Sequence, residues 1–268
     1  MKKNIKQIII SITALLVFVN ITGCGLMPES KPLLQAIKDR GYIKAGVKYD
    51  SKPFGFIDQD QQIKGFDIDL IKEISRRILG DADSVKFQQV TSSNRIPSIT
   101  SGSVDLVAAT MTINNKRKRI VDFSDPYYMA GQAIMIPKTS GIKTMENLNG
   151  KRVSVVLGST SEQNLSTLAP KAIPVGFKTY TDAFSALRAH RTDALTTDDT
   201  IIAGFLAEDN NFKMLPNRYT QEPYGIAFKK GKGSRELKEL VNITLEEMQS
   251  DGTLDRIRKK WMVNYIKK

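Results

Sequence analysis

The run VDLVAATMT (Val104 to Thr112) is apolar at almost every position until its threonine-rich end. A strand of that kind has no face it can show to water, so it belongs inside a sheet covered by helices on both sides, and such sheets are expected to be parallel. The flanking pattern fits that demand. YIKAGV (Tyr42 to Val47) and VKFQQV (Val85 to Val90) read as strands. Between them, GFDIDLIKEISRRIL (Gly65 to Leu79) places Ile68, Ile71, Ile74 and Ile78 on one helical face, with Asp67 as its expected N-cap. NRIPSITSG (Asn94 to Gly102) is a short helix that ends at Gly102.

The cycle then restarts. GQAIMIP (131–137), KRVSVVLG (151–158) and AIPVGF (172–177) are strands, and a helix follows the polar turn at Gly158. DAFSALRAH (182–190) is a helix that leads into the strand end TDALTTDD (192–199), a plan that repeats the short helix before VDLVAATMT. A last strand, YGIAFKK (224–230), precedes a helix with Leu237, Leu240, Val241, Leu245 and Met248 on one face; Gly252 breaks it before a final helix carrying Leu254, Ile257 and Trp261. The expectation is an α/β chain of two lobes. Residues 41–132 and 223–268 form a discontinuous first lobe and residues 133–222 the second, with GQAIMIP and YGIAF as the crossing strands and Tyr127, Tyr128 and Tyr224 packing the hinge.

The N-terminus is not expected to belong to either lobe. Lys2, Lys3 and Lys6 precede a short apolar stretch, Ile8 to Val19, too short to span a bilayer comfortably, so residues 1–23 read as an export signal. It ends in Ile21-Thr22-Gly23-Cys24, which resembles a bacterial lipobox; Cys24 would carry the lipid, and residues 24–40 would be a lipid-anchored tether. Cys24 is the only cysteine, so no internal disulfide is available. Removal of residues 1–23, with three lysines and no acid, takes the net charge from +12 to +9, which suits an anionic surface, yet the bases are spread along the chain with a single run of four, Lys116 to Arg119, and no nucleic-acid partner is expected.

In open α/β sheets ligands bind beyond the carboxyl ends of the strands. That selects Ala109, Thr110 and Thr112 in lobe one, and Gly158, Ser159, Thr160, Ser161 and Thr197-Asp198 in lobe two, facing a shared cleft. The blocks around these positions, GFDIDLIKEI, ATMTINNKRKRIVDFSDPYYMAGQ, LGSTSEQN, TDALTTDD and EPYGIAFKKG, are similar in order and spacing to those of the family 3 extracellular solute-binding proteins, the polar amino-acid receptors of ABC importers, over Tyr42 to Trp261. Ser75 stands where that signature has a smaller apolar residue.

The resemblance implies a type II periplasmic-binding-protein-like fold with a two-strand hinge. It also implies a monomeric, exported lipoprotein on the outer face of the cell membrane that binds a free amino acid and delivers it to a permease, with no cofactor. By the same resemblance Arg117 grips the α-carboxylate, with the Thr112 hydroxyl and the backbone of Ala109 and Thr110 as co-ligands; only arginine offers a planar fork, so Lys116 and Lys118 are not equivalents. Asp198 takes the ammonium, and the Gly158 to Ser161 turn closes over the carboxylate from a helix start. Ser51 and Ser92 occupy the positions of aromatic shelves, while Lys48 and Arg95 resemble positions that bind a distal carboxylate. Three cations, Lys48, Arg95 and Arg117, against Asp198 favour glutamate or aspartate, with glutamine next.

An enzyme needs placed acid–base or nucleophilic groups. The only histidine, His190, sits at the polar end of a helix and reads as solvated; no metal-ligand spacing is visible. A dehydratase or lytic enzyme on the same two-lobed fold, and a sensory lipoprotein using the same binding, stand as the alternatives.

Overall fold

The computed structural model describes residues 31–266; the signal segment, Cys24 and residues 24–30 of the expected tether lie outside the described residues. Two five-stranded sheets carry the fold. The first runs Val85–Gln89, Ile43–Val47, Leu106–Ala108, Ala227–Lys229, Val121–Phe123, and the second Ile173–Phe177, Arg152–Val156, Ala194–Asp198, Gln132–Pro137, Phe212–Met214. Both-face burial is realised as the run VDLVAATMT demands. Leu106 and Ala108 enter the core beneath the helices Phe66–Leu79 and Lys232–Ser250, while Val107 and Ala109 enter a second core with Ile99 and Val121. Each fully buried Leu, Ile or Phe side chain contributes about 1.5–3 kcal/mol relative to exposure.

The sheets are mixed rather than all parallel. Ala227–Lys229 pairs antiparallel with both its neighbours, and Gln132–Pro137 does the same in the second sheet. Both are strands that enter a sheet directly from the crossover between lobes instead of through a helix, and that entry reverses their direction. The crossover itself is a separate two-stranded ribbon, Tyr128–Ala130 against Glu222–Tyr224, in the register Tyr128 to Tyr224 and Ala130 to Glu222. It lies just before GQAIMIP and ends on Tyr224, the first residue of YGIAF, the two segments expected to cross. Phe54, Phe66, Tyr127, Tyr128 and Tyr224 pack around this ribbon, mostly edge to face or tilted, with ring centroids 5.1–6.4 Å apart, as expected of the three tyrosines.

Two other expectations change. Residues Leu33–Arg40, placed in the tether, form a helix with basic residues in its last turn and Gly41 closing it at φ 79°; its Leu34 and Ile37 are buried in the first lobe's core. Asp67 does not cap its helix. Gly65 does, at φ 139° and so close to Phe54 that a Cβ there would fall 2.0 Å from the Phe54 carbonyl oxygen. Asp67 is instead buried in the first turn, where its carboxylate accepts from the Tyr127 hydroxyl at 2.9 Å and the Thr110 amide at 3.2 Å. Ser75 is also buried, and its hydroxyl donates to the Asp81 and Ser84 carbonyls, closing the turn after the helix. Among the described residues no helix is long and apolar enough to cross a membrane.

Candidate functional site

The basic run is sorted by one short helix. Asn114 caps Asn115–Lys118 by accepting from the Arg117 amide at 2.9 Å, which turns Arg117 inward to 5 % exposure and leaves Lys116, Lys118 and Arg119 in solvent. The Arg117 guanidinium donates to the Thr112 carbonyl at 2.8 Å and, across the cleft, to the Gly158 carbonyl at 3.1 Å. Burial, and then the charge of Arg95, pull its pKa down to about 9, still charged at neutral pH.

Arg95 sits at the start of the helix Arg95–Thr100 and donates to the carbonyls of Ala109 and Thr110 at 2.6 and 3.2 Å, fastening the end of the strand. Its Nε is buried with no partner among the described residues, as is the Thr110 hydroxyl. Thr110 itself has φ 47°, a left-handed conformation unfavourable for a β-branched residue and of the kind that gathers at binding sites. Lys48 is wholly buried, donates to the Ser92 hydroxyl at 2.9 Å and lies 4.8 Å from the Tyr180 ring centroid. Burial lowers its pKa to about 8; Asp50 works in the other direction.

From the second lobe, Asp198 ends the strand Ala194–Asp198 with one carboxylate oxygen held by the Tyr224 hydroxyl and the other, Oδ1, buried without a partner among the described residues. Burial first and the nearby charge of Glu222 second push its pKa up to about 7. Ser159 caps the helix Thr160–Leu168, its hydroxyl accepting from the Glu162 amide at 3.1 Å, while the Gly158 amide is taken by the Glu162 carboxylate at 2.7 Å. The turn therefore presents the Gly158 carbonyl, not its amide, toward Arg117. The Ser161 carbonyl accepts from Gln132 at 3.4 Å inside lobe two. The Thr160 hydroxyl meets that of Thr112 across the cleft at 3.4 Å. His190, read as solvated, is exposed.

Lys48, Arg95, Arg117 and Asp198 thus face one another in one buried cleft, close enough that the charges of Arg95, Arg117 and Asp198 all act on Lys48. Sequence reasoning missed Tyr180, Asp67 and Glu222. Tyr180 opens a helix, its amide donating to Asp50 of lobe one at 2.7 Å, and nothing local in the sequence marks it. Glu222 is 3 % exposed on the crossover ribbon, accepting from Thr220 at 2.6 Å and Asn164 at 3.2 Å, and its charge reaches both Arg117 and Asp198. It stood in the EPYGIAFKKG block, where its charge could have been counted.

The family described as bacterial extracellular solute-binding proteins, family 3, matches residues 43–264. The ABC transporter glutamine-binding protein GlnH of Bacillus subtilis is 43% identical over 269 residues, 98% of each chain. The glutamate-binding protein GluB of Corynebacterium glutamicum is 32% identical over 251 residues, 89% of this chain and 84% of that one. Among solved structures, an ancestral arginine-binding protein bound to glutamine superimposes with a TM-score of 0.78 at 42% identity, covering 83% of this chain and 98% of the other.

Proposed function

The chain belongs to the bacterial extracellular solute-binding proteins, family 3, and on that premise we propose that it captures a polar α-amino acid between its lobes and delivers it to the permease of an ABC importer. It is a binding protein, not an enzyme. The observation that carries the reading is the opposition of a buried guanidinium, Arg117, on one lobe to a buried carboxylate, Asp198, on the other, with Asp198 Oδ1 left unpartnered. An α-amino acid brings one anionic and one cationic group held a fixed distance apart, and that pair is complementary to it. The ligand meets Arg117, Thr110 and Thr112 first; closure about the Tyr128–Ala130 and Glu222–Tyr224 ribbon then adds Asp198 and the Gly158 turn.

For the side chain we favour glutamine over the glutamate or aspartate expected from three cations facing one acid. Buried Glu222 and Asp67 join Asp198, and Asp50 also acts on Lys48, so with Asp198 ionised, above about pH 7, acids offset Lys48, Arg95 and Arg117 before any ligand enters. A zwitterion with a neutral amide keeps that balance, while glutamate adds an uncompensated buried charge. The Lys48 ammonium then donates to the amide oxygen. The relative from B. subtilis that covers 98% of this chain is named as a glutamine-binding protein.

Calorimetric titration with L-glutamine, L-glutamate and L-aspartate tests both levels. Glutamine is expected to bind and glutamate to bind more weakly; Arg117→Ala is expected to weaken binding about a hundredfold or more, since charge-assisted bonds contribute roughly 1.5–3 kcal/mol each. Arg119→Ala should stay within about twofold. Glutamate heat without glutamine heat overturns the amide assignment, and equal losses at Arg117 and Arg119 overturn the assignment of roles.

A further inference from the structure

The lobes touch at a second place, through residues with no part in the ligand contacts above. Gly204 lies in the interior of the lobe-two helix Asp199–Glu208, directly over the backbone of Lys52 in lobe one. A Cβ at Gly204 would fall 2.3 Å from the Lys52 carbonyl oxygen, 3.0 Å from its carbonyl carbon and 3.5 Å from its Cβ. Two of these three atoms are main chain, which cannot swing aside as the end of a side chain would.

One helical turn further on, Glu208 takes the Lys52 ammonium at 3.2 Å. That ammonium lies 5.3 Å from the Phe56 ring, whose edge in turn meets Trp261 with centroids 5.8 Å apart. The ion pair is exposed at both ends and so contributes little by itself. The weight of the contact rests on backbone approach. Glycine is a poor helix former compared with alanine, so its place in the middle of this helix calls for a reason other than helix formation. Close approach of the second lobe supplies it.

We infer that Gly204 is a positioning residue that sets how far the lobes close, and through closure how tightly the ligand is held, without touching the ligand. The inference rests on the receptor reading. The bond from Arg117 to the Gly158 carbonyl, 3.1 Å, and the Thr112 to Thr160 contact, 3.4 Å, exist only at the present separation of the lobes. A methyl group at Gly204 would hold the helix away from Lys52 and lengthen them together. Closed, ligand-gripping molecules would become a smaller fraction of the population, and apparent affinity falls in proportion to that fraction.

The test compares Gly204→Ala with Gly233→Ala. Both place alanine in a helix, but Gly233 has nothing within 4 Å of a built Cβ, so it reports helix propensity without the clash. Dissociation constants and dissociation rates would be measured with L-glutamine and L-glutamate, alongside circular dichroism and small-angle scattering of each chain with and without amino acid. Gly204→Ala is expected to bind roughly tenfold or more weakly, to release ligand faster, and to keep a larger radius of gyration at saturation. Gly233→Ala should match the wild type in all three, and both variants should keep wild-type helical content.

A Gly204→Ala chain that binds within about twofold of wild type, or compacts as fully at saturation, overturns the inference alone. A wild-type chain that takes up neither amino acid removes the receptor reading, and this inference with it.

Discussion

At the scale of single residues, the cleft is governed by where charge is buried and what is left to compensate it. Asp198 is the clearest case, because its pKa of about 7 lies far above the ordinary 3.8 and its cause is burial, reinforced by Glu222. On the proposed reading, the ionised form is the one that would pair with a ligand ammonium. Ligand affinity is therefore expected to fall as pH drops below about 7, approaching tenfold per pH unit. Stability of the ligand-free chain runs the other way. The folded state holds the Asp198 proton more tightly than the unfolded state, so this group's contribution is fully present below pH 3.8 and is lost as pH rises through about 7. Asp67, held up to about 6 by burial, acts in the same direction. Calorimetry between pH 8 and 6 checks the first statement; an affinity that does not change over that range would show that Asp198 does not hold the ammonium.

At the scale of elements, the helix Leu33–Arg40 decides where the folded body begins. Its Ile37 is fully buried in one core with Leu237, Val241 and Leu245 of the helix Lys232–Ser250. Ile37→Ala removes buried methylenes from a packed site, at a cost of about 2–5 kcal/mol of folding stability. Urea unfolding is expected to show that loss, with ligand affinity unchanged because no cleft residue is touched. A change under about 0.5 kcal/mol would return the segment to the tether. The short helix Asn115–Lys118 shows how little local structure a site needs: one cap from Asn114 fixes which of four neighbouring bases points inward.

At the scale of the whole molecule, the family match covers 43–264, and we propose that the first residues serve delivery rather than binding. Lipid anchoring through Cys24 is our proposal for how the receptor is kept at the membrane; loss of residues 1–23, with three lysines and no acid, takes the net charge from +12 to +9, which still suits an anionic surface. Cys24→Ser is expected to move the protein from the membrane fraction into the soluble exported fraction while glutamine affinity holds. Retention at the membrane in the variant would assign the anchor elsewhere.

The sequence by itself determined the main alternation of strands and helices and the burial of Val104 to Thr112 on both faces, while resemblance to the family set Arg117 apart from its basic neighbours. The first two are written in a period or a run spanning a few residues. Only the tertiary structure decided the place of the crossover ribbon, the antiparallel entry of Gln132–Pro137 and Ala227–Lys229, and the acids that complete the cleft. Asp67 is far along the chain from Asp198 and Glu222, and Lys52 is far from Gly204. Charge compensation and close approach depend on separations through space, which a linear pattern does not encode.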